Sequence, residues 1–299
     1  MRSIAALTLV AMVAFAANSL LARLALGNHA IDAASYTLIR IVSGAAFLYL
    51  VAWRMQVGSA VPPPRGLRGN WVSAFALFVY ALAFSYAYLA LGAAMGALIL
   101  FSSVQATMIL WSLSQGARPS TGEVVGFVAA FAGFVYLVLP GIGRPDPLGT
   151  ALMTLSGMAW GVYTLKGRSS SSPLADTAGN FVRAGAFCVP LGLVALADPN
   201  LTYAGVTLAL ASGIVASGLG YAIWYLALPA LTTFRAALVQ LSVPVITAAG
   251  AIVLLDEALT LRFAMVSIVV LGGIALAIVS RHRKPVRPLP AAGGVDHPK

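Results

Sequence analysis

Apolar residues in this chain come in nearly uninterrupted windows of about 20, each closed by Pro, Gly or charged residues, and not as strand-like alternation. Ten such windows, near residues 4–26, 33–53, 70–91, 94–115, 121–140, 148–167, 174–197, 203–228, 231–254 and 260–280, predict ten helices. A helix rises about 1.5 Å per residue, so about 20 apolar residues cross a hydrocarbon core about 30 Å thick. Two segments break the pattern, "RMQVGSAVPPPRGLRGN" (54–70) and "RHRKPVRPLPAAGGVDHPK" (281–299). Both are basic and Pro-rich, and read as flexible and solvated. The start, with Arg2 and the small-residue pattern Ala14-Phe15-Ala16, mimics a cleavable signal peptide. Its apolar run continues to Leu26 and its pattern recurs later, so a retained helix is expected.

Composition fixes the class. With 60% hydrophobic and 9% charged residues and a mean hydropathy of +0.93, the chain reads as an all-α polytopic membrane protein. Ten spans with short loops use up 299 residues and leave no separate soluble domain. One cysteine, Cys188, and three scattered histidines give neither an internal disulfide nor a metal-ligand set. No metal and no cofactor are expected.

A net charge of +10 would suggest nucleic acid in a soluble protein, but here the basic residues flank apolar windows. Counting loops from the N-terminus, one side collects Arg2, Arg54, Arg65, Arg68, Arg118, Lys166, Arg168, Arg235, Arg281, Arg283, Lys284 and Arg287. The other has Arg144 and Arg262 beside Asp32, Asp146, Asp198, Asp256 and Glu257. The positive-inside rule then puts both termini in the cytoplasm, as in a bacterial-type inner membrane. The bilayer is the partner, and nucleic acid is not.

The chain also repeats itself. "MVAFAANSLLARLAL" (12–26) lies over "SGMAWGVYTLKGRSS" (156–170), and "YTLIRIVSG" over "GNFVRAGAF", which aligns Arg40 with Arg183. "AFSYAYLAL" lies over "LGYAIWYLAL", aligning Phe84 with Tyr221 and Tyr88 with Tyr225. A repeat of five helices is odd, so the second copy enters the membrane from the opposite side. The expected organisation is a first repeat over 1–146, a second, inverted repeat over 147–282, and a basic cytoplasmic tail over 283–299. Inverted halves suit alternating access, because exchanging their conformations opens one face while closing the other.

These features resemble the drug/metabolite transporter superfamily, EamA branch. The resemblance rests on the aromatic first helix of each half ("AFAANSLLAR", "MAWGVYTLKGR"), the arginine in each second helix, and the ending "LVQLSVPVITAAGAIVLLDEALTLRFAMVSIVVLGGIALAIVS". It covers about residues 4–281. Within the superfamily the pattern is most like the exporters of aromatic and other amino acids, also associated with paraquat. The first half departs from it: Val104 stands where the second half has Pro244, and no acidic residue ends the repeat.

Catalytic motifs are missing, so an enzyme is not expected. All eight Asp and Glu fall in loops, at helix ends or in the tail, which argues against Asp/Glu-based proton antiport and against a site built for cations alone. What remains is aromatic, amide and hydroxyl chemistry. Tyr80, Phe84 and Tyr88 share a helix face, as do Tyr221, Trp224 and Tyr225, where packing and a substrate wall are both open readings. Asn18, Gln105 and Gln240 must face the interior, as glue or as substrate contacts, because lipid cannot satisfy an amide. Trp160, with Tyr163 and Thr164, is the foremost candidate, and the resemblance implies a central cavity at that position. Arg40 and Arg183 read as an inverted pair, one toward each mouth, either capping carbonyls or binding substrate carboxylates. Gly122, Gly126, Gly272 and Gly273 imply close helix packing, within the chain or between copies. A monomer is expected, with a dimer open.

The expectation is thus a transporter that exports neutral amino acids, aromatic ones included, by alternating access, in its simplest form as facilitated efflux. A drug or organic-cation exporter is the alternative, followed by a non-transporting membrane protein or an intramembrane enzyme.

Overall fold

A computed structural model describes residues 2–57, 67–139, 146–197, 200–254 and 260–280. They form α1 (Arg2–Leu26), α2 (Ala33–Val57), α3 (Trp71–Ser114), α4 (Thr121–Val138), α5 (Pro147–Gly167), α6 (Pro173–Phe187), α7 (Val189–Ala197), α8 (Tyr203–Ala211), α9 (Gly220–Ala227), α10 (Thr233–Val239), α11 (Ser242–Leu254) and α12 (Leu261–Val279). A π-helical stretch, Ser212–Leu219, joins α8 to α9. The described residues contain no strand, and the chain is an all-α membrane protein as expected. The tail, most of segment 54–70, Arg144, Asp198, Asp256 and Glu257 lie outside the described residues.

All ten expected windows hold helix. Seven segments are long and apolar enough to cross a membrane, and the pair α6–α7, bent by 53°, makes an eighth. The apolar part of α4 is shorter, Thr121–Tyr136. Thr150, Thr154, Ser156, Thr164 and Lys166 dilute the hydropathy of α5.

Although α3 is helical over 44 residues, it is not straight. Ser156 Oγ donates to the Tyr80 carbonyl at 3.0 Å, while a Cβ on Gly157 would lie 2.6 Å from the Leu100 carbonyl oxygen. Twenty residues of straight helix measure about 30 Å, so residues 80 and 100 come together only if α3 doubles back. It does so between Leu91 and Met95, giving two arms, Trp71–Leu91 and Met95–Ser114. Helix α5 packs along both: Gly149 meets Ala90 and Leu91 near the reversal, and Gly161 meets Thr107 on the second arm.

The corresponding helix of the second half bends differently. Pro244 has no N–H to offer the Gln240 carbonyl, and its ring crowds that carbonyl. The chain breaks there between α10 and α11, with the Val243 N–H turning to Gln240 O at 3.1 Å. Where Val104 replaces proline, the second arm of α3 continues unbroken.

Both ends of the bundle are fastened by loops. At one end the α1–α2 loop meets the α7–α8 loop: Thr202 N–H and Oγ1 donate to Ala30 O at 3.0 and 2.7 Å, and Asn200 Nδ2 donates to His29 O at 3.0 Å. At the other, the segment before α3 meets the start of α6. Asp176 accepts from Arg68 Nε at 3.2 Å, Gly69 N at 3.1 Å and Ser170 Oγ at 2.6 Å. Arg183 donates to the carbonyls of Arg68 and Leu67 at 2.5 and 2.8 Å, which is the capping role. Gly179 makes this possible, since a Cβ there would overlap the Arg68 carbonyl at 1.7 Å.

Helices α4 and α12 touch backbone to backbone. A Cβ on Gly126 would lie 2.3 Å from Gly273 O, and one on Gly273 2.6 Å from Gly126 O. Gly126 and Gly273, with Gly122 against Ser280, thus serve packing within the chain, whereas a Cβ on Gly272 would meet nothing within 4 Å. Gly273→Leu forces these helices apart and is expected to cost about 1–3 kcal/mol, read as a lower thermal midpoint in detergent; an unchanged midpoint contradicts the close approach.

Candidate substrate cavity

A cavity of about 30 Å³ lies where the two halves meet, lined by Phe15, Asn18, Ser19, Tyr80, Phe84, Leu100, Phe101, Val104, Trp160, Tyr221, Gln240 and Val243. Its dimensions follow from local structure. The reversal in α3 brings Tyr80 and Phe84 opposite Leu100, Phe101 and Val104, and the break before α11 turns Gln240 inward. About 30 Å³ holds one or two waters and no larger solute. An organic substrate at this place therefore requires the cavity to widen.

The wall is aromatic and its rings are locked. Phe15 meets Trp160, Tyr221 and Trp224 edge-on, with centroids 5.2, 5.7 and 5.8 Å apart, a favoured geometry. Trp160 Nε1 donates to Gln240 Oε1 at 2.7 Å, while Gln240 Nε2 returns to Ala236 O at 2.9 Å. Asn18 Oδ1 accepts from Ser212 Oγ at 2.6 Å, and its Nδ2 approaches Tyr80 OH at 3.4 Å. Gln105 acts as glue: its Nε2 donates to Ala237 O at 2.8 Å, off the cavity wall.

Arg40 is where structure and sequence part. The sequence places it near an outer mouth at modest depth; in the structure it is 2% exposed, behind the cavity wall. Its Nε donates to Ser217 Oγ at 2.9 Å, and its NH2 to Tyr221 OH at 2.6 Å and Tyr80 OH at 3.2 Å. The guanidinium carbon stands 5.2 Å from the Tyr80 ring centre and 6.0 Å from that of Phe84. NH1 is buried with no partner. Arg183 has no matching role, being held at the bundle end, so the two arginines are not equivalent gates.

The π-helical stretch explains why Arg40 fits. At 100° per residue, residues five apart on an α-helix point about 140° apart, but wider π turns bring them onto one face. Ser212 and Ser217 are five apart, and both hydroxyls face inward, to Asn18 and Arg40. Gly213 lets α2 close in, for its Cβ would lie 2.3 Å from Arg40 O and 2.2 Å from Ser43 Oγ.

Beyond the wall, Tyr163 stacks on Trp160 with centroids 5.6 Å apart, and Tyr225 packs on Tyr163 at 5.1 Å while donating to its carbonyl at 3.0 Å. Tyr225 then lines a second, polar cavity of about 240 Å³ with Arg68, Asn70, Lys166, Ser170, Asp176 and Asn180. Two chambers are thus separated by a plug of aromatic rings, with the Arg68–Asp176 fastening around the polar one.

Of the sequence candidates, Asn18, Tyr80, Phe84, Trp160, Tyr221 and Gln240 line the central cavity. Tyr163 and Trp224 pack beside it. Sequence reasoning missed Phe15, Ser19, Leu100, Phe101, Val104 and Val243. Phe15 alone had a signal, its place in the aromatic first helix of its half; the others are apolar or hydroxyl residues indistinguishable in a membrane helix from lipid-facing ones.

Residues 147–279 match the EamA-like transporter family. A protein of Pseudomonas aeruginosa described as uncharacterised is 49% identical over 281 residues, covering 94% of this chain and 96% of that one. The chain belongs to the EamA-like transporter family. An uncharacterised transporter of Archaeoglobus fulgidus is 28% identical over 74% of this chain and 80% of its own. One crystal structure aligns with a TM-score of 0.77 over 94% of this chain and 99% of its own, at 18% identity, which speaks to the fold.

This EamA chain is accordingly a membrane transporter of the drug/metabolite superfamily, and the aromatic cavity is its candidate substrate site. Trp160→Phe strands the buried Gln240 oxygen and is expected to cost about 1–3 kcal/mol. Adding Gln240→Leu removes the stranded group, so the double variant regains much of the loss; thermal midpoints of the three variants check this, and strict additivity contradicts it.

Proposed function

We propose that the protein exports amino acids, aromatic and other neutral ones, across the cytoplasmic membrane by alternating access between two inverted repeats, residues 1–146 and 147–282. One observation carries this reading: an aromatic cavity whose nearest fixed charge is Arg40 and to which no described carboxylate turns. The described acids are spent on helix starts. Asp32 accepts from Ser35 N at 2.8 Å, Glu123 from Ser120 N at 2.9 Å, and Asp146 from Gly149 N at 2.6 Å, while Asp176 serves the bundle-end fastening. Such a site suits a solute with an apolar side chain and a carboxylate. It disfavours the organic-cation alternative, since a buried guanidinium repels a cation more than ring faces attract it. The likeness of the sequence to the aromatic amino acid exporter YddG points the same way.

With no carboxylate among the described residues at the cavity, facilitated efflux is the simplest mechanism. The positive-inside bias puts the polar chamber and the Arg68–Asp176 fastening on the cytoplasmic side, so the Trp160, Tyr163 and Tyr225 rings close the path to the cytoplasm in this state. Loading from inside requires that fastening to open and the plug to part.

Counterflow in proteoliposomes tests the proposal. Labelled phenylalanine is expected to enter vesicles preloaded with unlabelled phenylalanine, methylviologen is expected to give no such exchange, and an imposed pH gradient is expected to change the rate by less than about twofold. Absence of flux for every amino acid refutes the reading.

A further inference from the structure

The buried charge specifies the substrate further. Arg40 is a permanent cation, yet its three bonded neighbours, Tyr80, Tyr221 and Ser217, are neutral hydroxyls. Neither described ion pair involves it, for these join Arg68 to Asp176 and Arg235 to Glu123. One whole nitrogen, NH1, is buried and unpartnered. A guanidinium removed from water without an anion is unfavourable, and a planar carboxylate is the group that fits its fork with two parallel hydrogen bonds. Tyr80 and Tyr221 hold the guanidinium against the cavity, because both also line it. Arg40 lies behind these two rings, so displacement of the Tyr80 and Tyr221 side chains as the cavity widens is what brings the guanidinium to a solute there.

An ammonium finds no comparable receiver. The amide oxygens at the cavity are already engaged, that of Gln240 by Trp160 and that of Asn18 by Ser212. Ring faces of Phe84, Trp160 and Phe15 remain, and these accept a phenyl group as readily as a cation. We infer that Arg40 is the carboxylate receptor of the cavity, and that a carboxylate beside an apolar ring, with or without an ammonium, is what the site recognises. Aromatic monocarboxylates lacking the amino group are therefore ligands in their own right. The inference rests on the central cavity being the transport site, and it widens the substrate class from amino acids to arylalkanoate anions.

Three ligands that share a phenyl ring separate the groups: phenylalanine carries both charges, 3-phenylpropionate only the carboxylate, and phenethylamine only the ammonium. Binding to the purified full chain is read by ligand-induced thermal shift and by tryptophan fluorescence. Phenylalanine and 3-phenylpropionate are expected to bind and phenethylamine is not. Arg40→Gln is expected to weaken 3-phenylpropionate by about thirtyfold or more, the scale of a lost buried charge contact, and Arg40→Lys by less. Binding of phenethylamine as tight as that of 3-phenylpropionate, or no binding of 3-phenylpropionate, overturns the inference on wild-type protein alone, whether or not the Arg40 variants fold. Folded Arg40→Gln protein that keeps wild-type affinity overturns it too. If 3-phenylpropionate binds in this pattern while no amino acid is transported, the carboxylate receptor stands and the amino acid reading falls.

Discussion

The interaction on which the centre of this molecule depends is the hold of two tyrosines and a serine on one buried guanidinium. Arg40 comes from α2, Tyr80 from the first arm of α3, Ser217 from the π-helical stretch before α9, and Tyr221 from α9. Water is absent from a hydrocarbon core, so every polar group there must be satisfied by the protein itself. That constraint makes the cation an organiser: the helices around it must present hydroxyls at fixed positions, and the π-helical turns supply that of Ser217 on the same face as the Ser212 hydroxyl that meets Asn18.

The same scarcity of partners explains how the acidic residues are used. Those described cap helix starts or tie loops at the bundle ends, where helix N-termini favour negative charge. None is left to neutralise Arg40 or to carry a proton across the cavity. The centre is therefore electropositive and aromatic, while the polar chamber beyond the Tyr163–Tyr225 plug mixes both signs of charge.

Closure of both bundle ends and the small size of the cavity belong together. The α1–α2 loop is pinned to the α7–α8 loop mainly through backbone carbonyls, and the segment before α3 to α6 through an ion pair and its satellites. The two fastenings differ in chemistry. The carbonyl-based one is insensitive to salt, whereas the partly exposed Arg68–Asp176 pair is weakened by ionic strength, so the two ends need not open under the same conditions.

Much of this was legible in the sequence because it follows from composition and period: helices where apolar windows run, and a membrane because few charges interrupt them. Some polar and aromatic members of the cavity were legible too, since Asn18, Gln240 and Trp160 are costly in lipid and must point inward, whereas Ser19 and Phe15 were not singled out. The apolar lining was not, because Leu100, Phe101, Val104 and Val243 are equally at home against lipid, and only the reversal of α3 and the break at Gln240 turn them to one space. Nor was the depth of Arg40. Counting residues to the helix end places it near a mouth, whereas the glycine at 213 and the π turns draw α2 inward until the arginine is enclosed. Local sequence thus determined which residues are helical and which cannot face lipid; tertiary packing alone decided which neighbours they meet, because contacts between residues more than a hundred positions apart leave no local period to read.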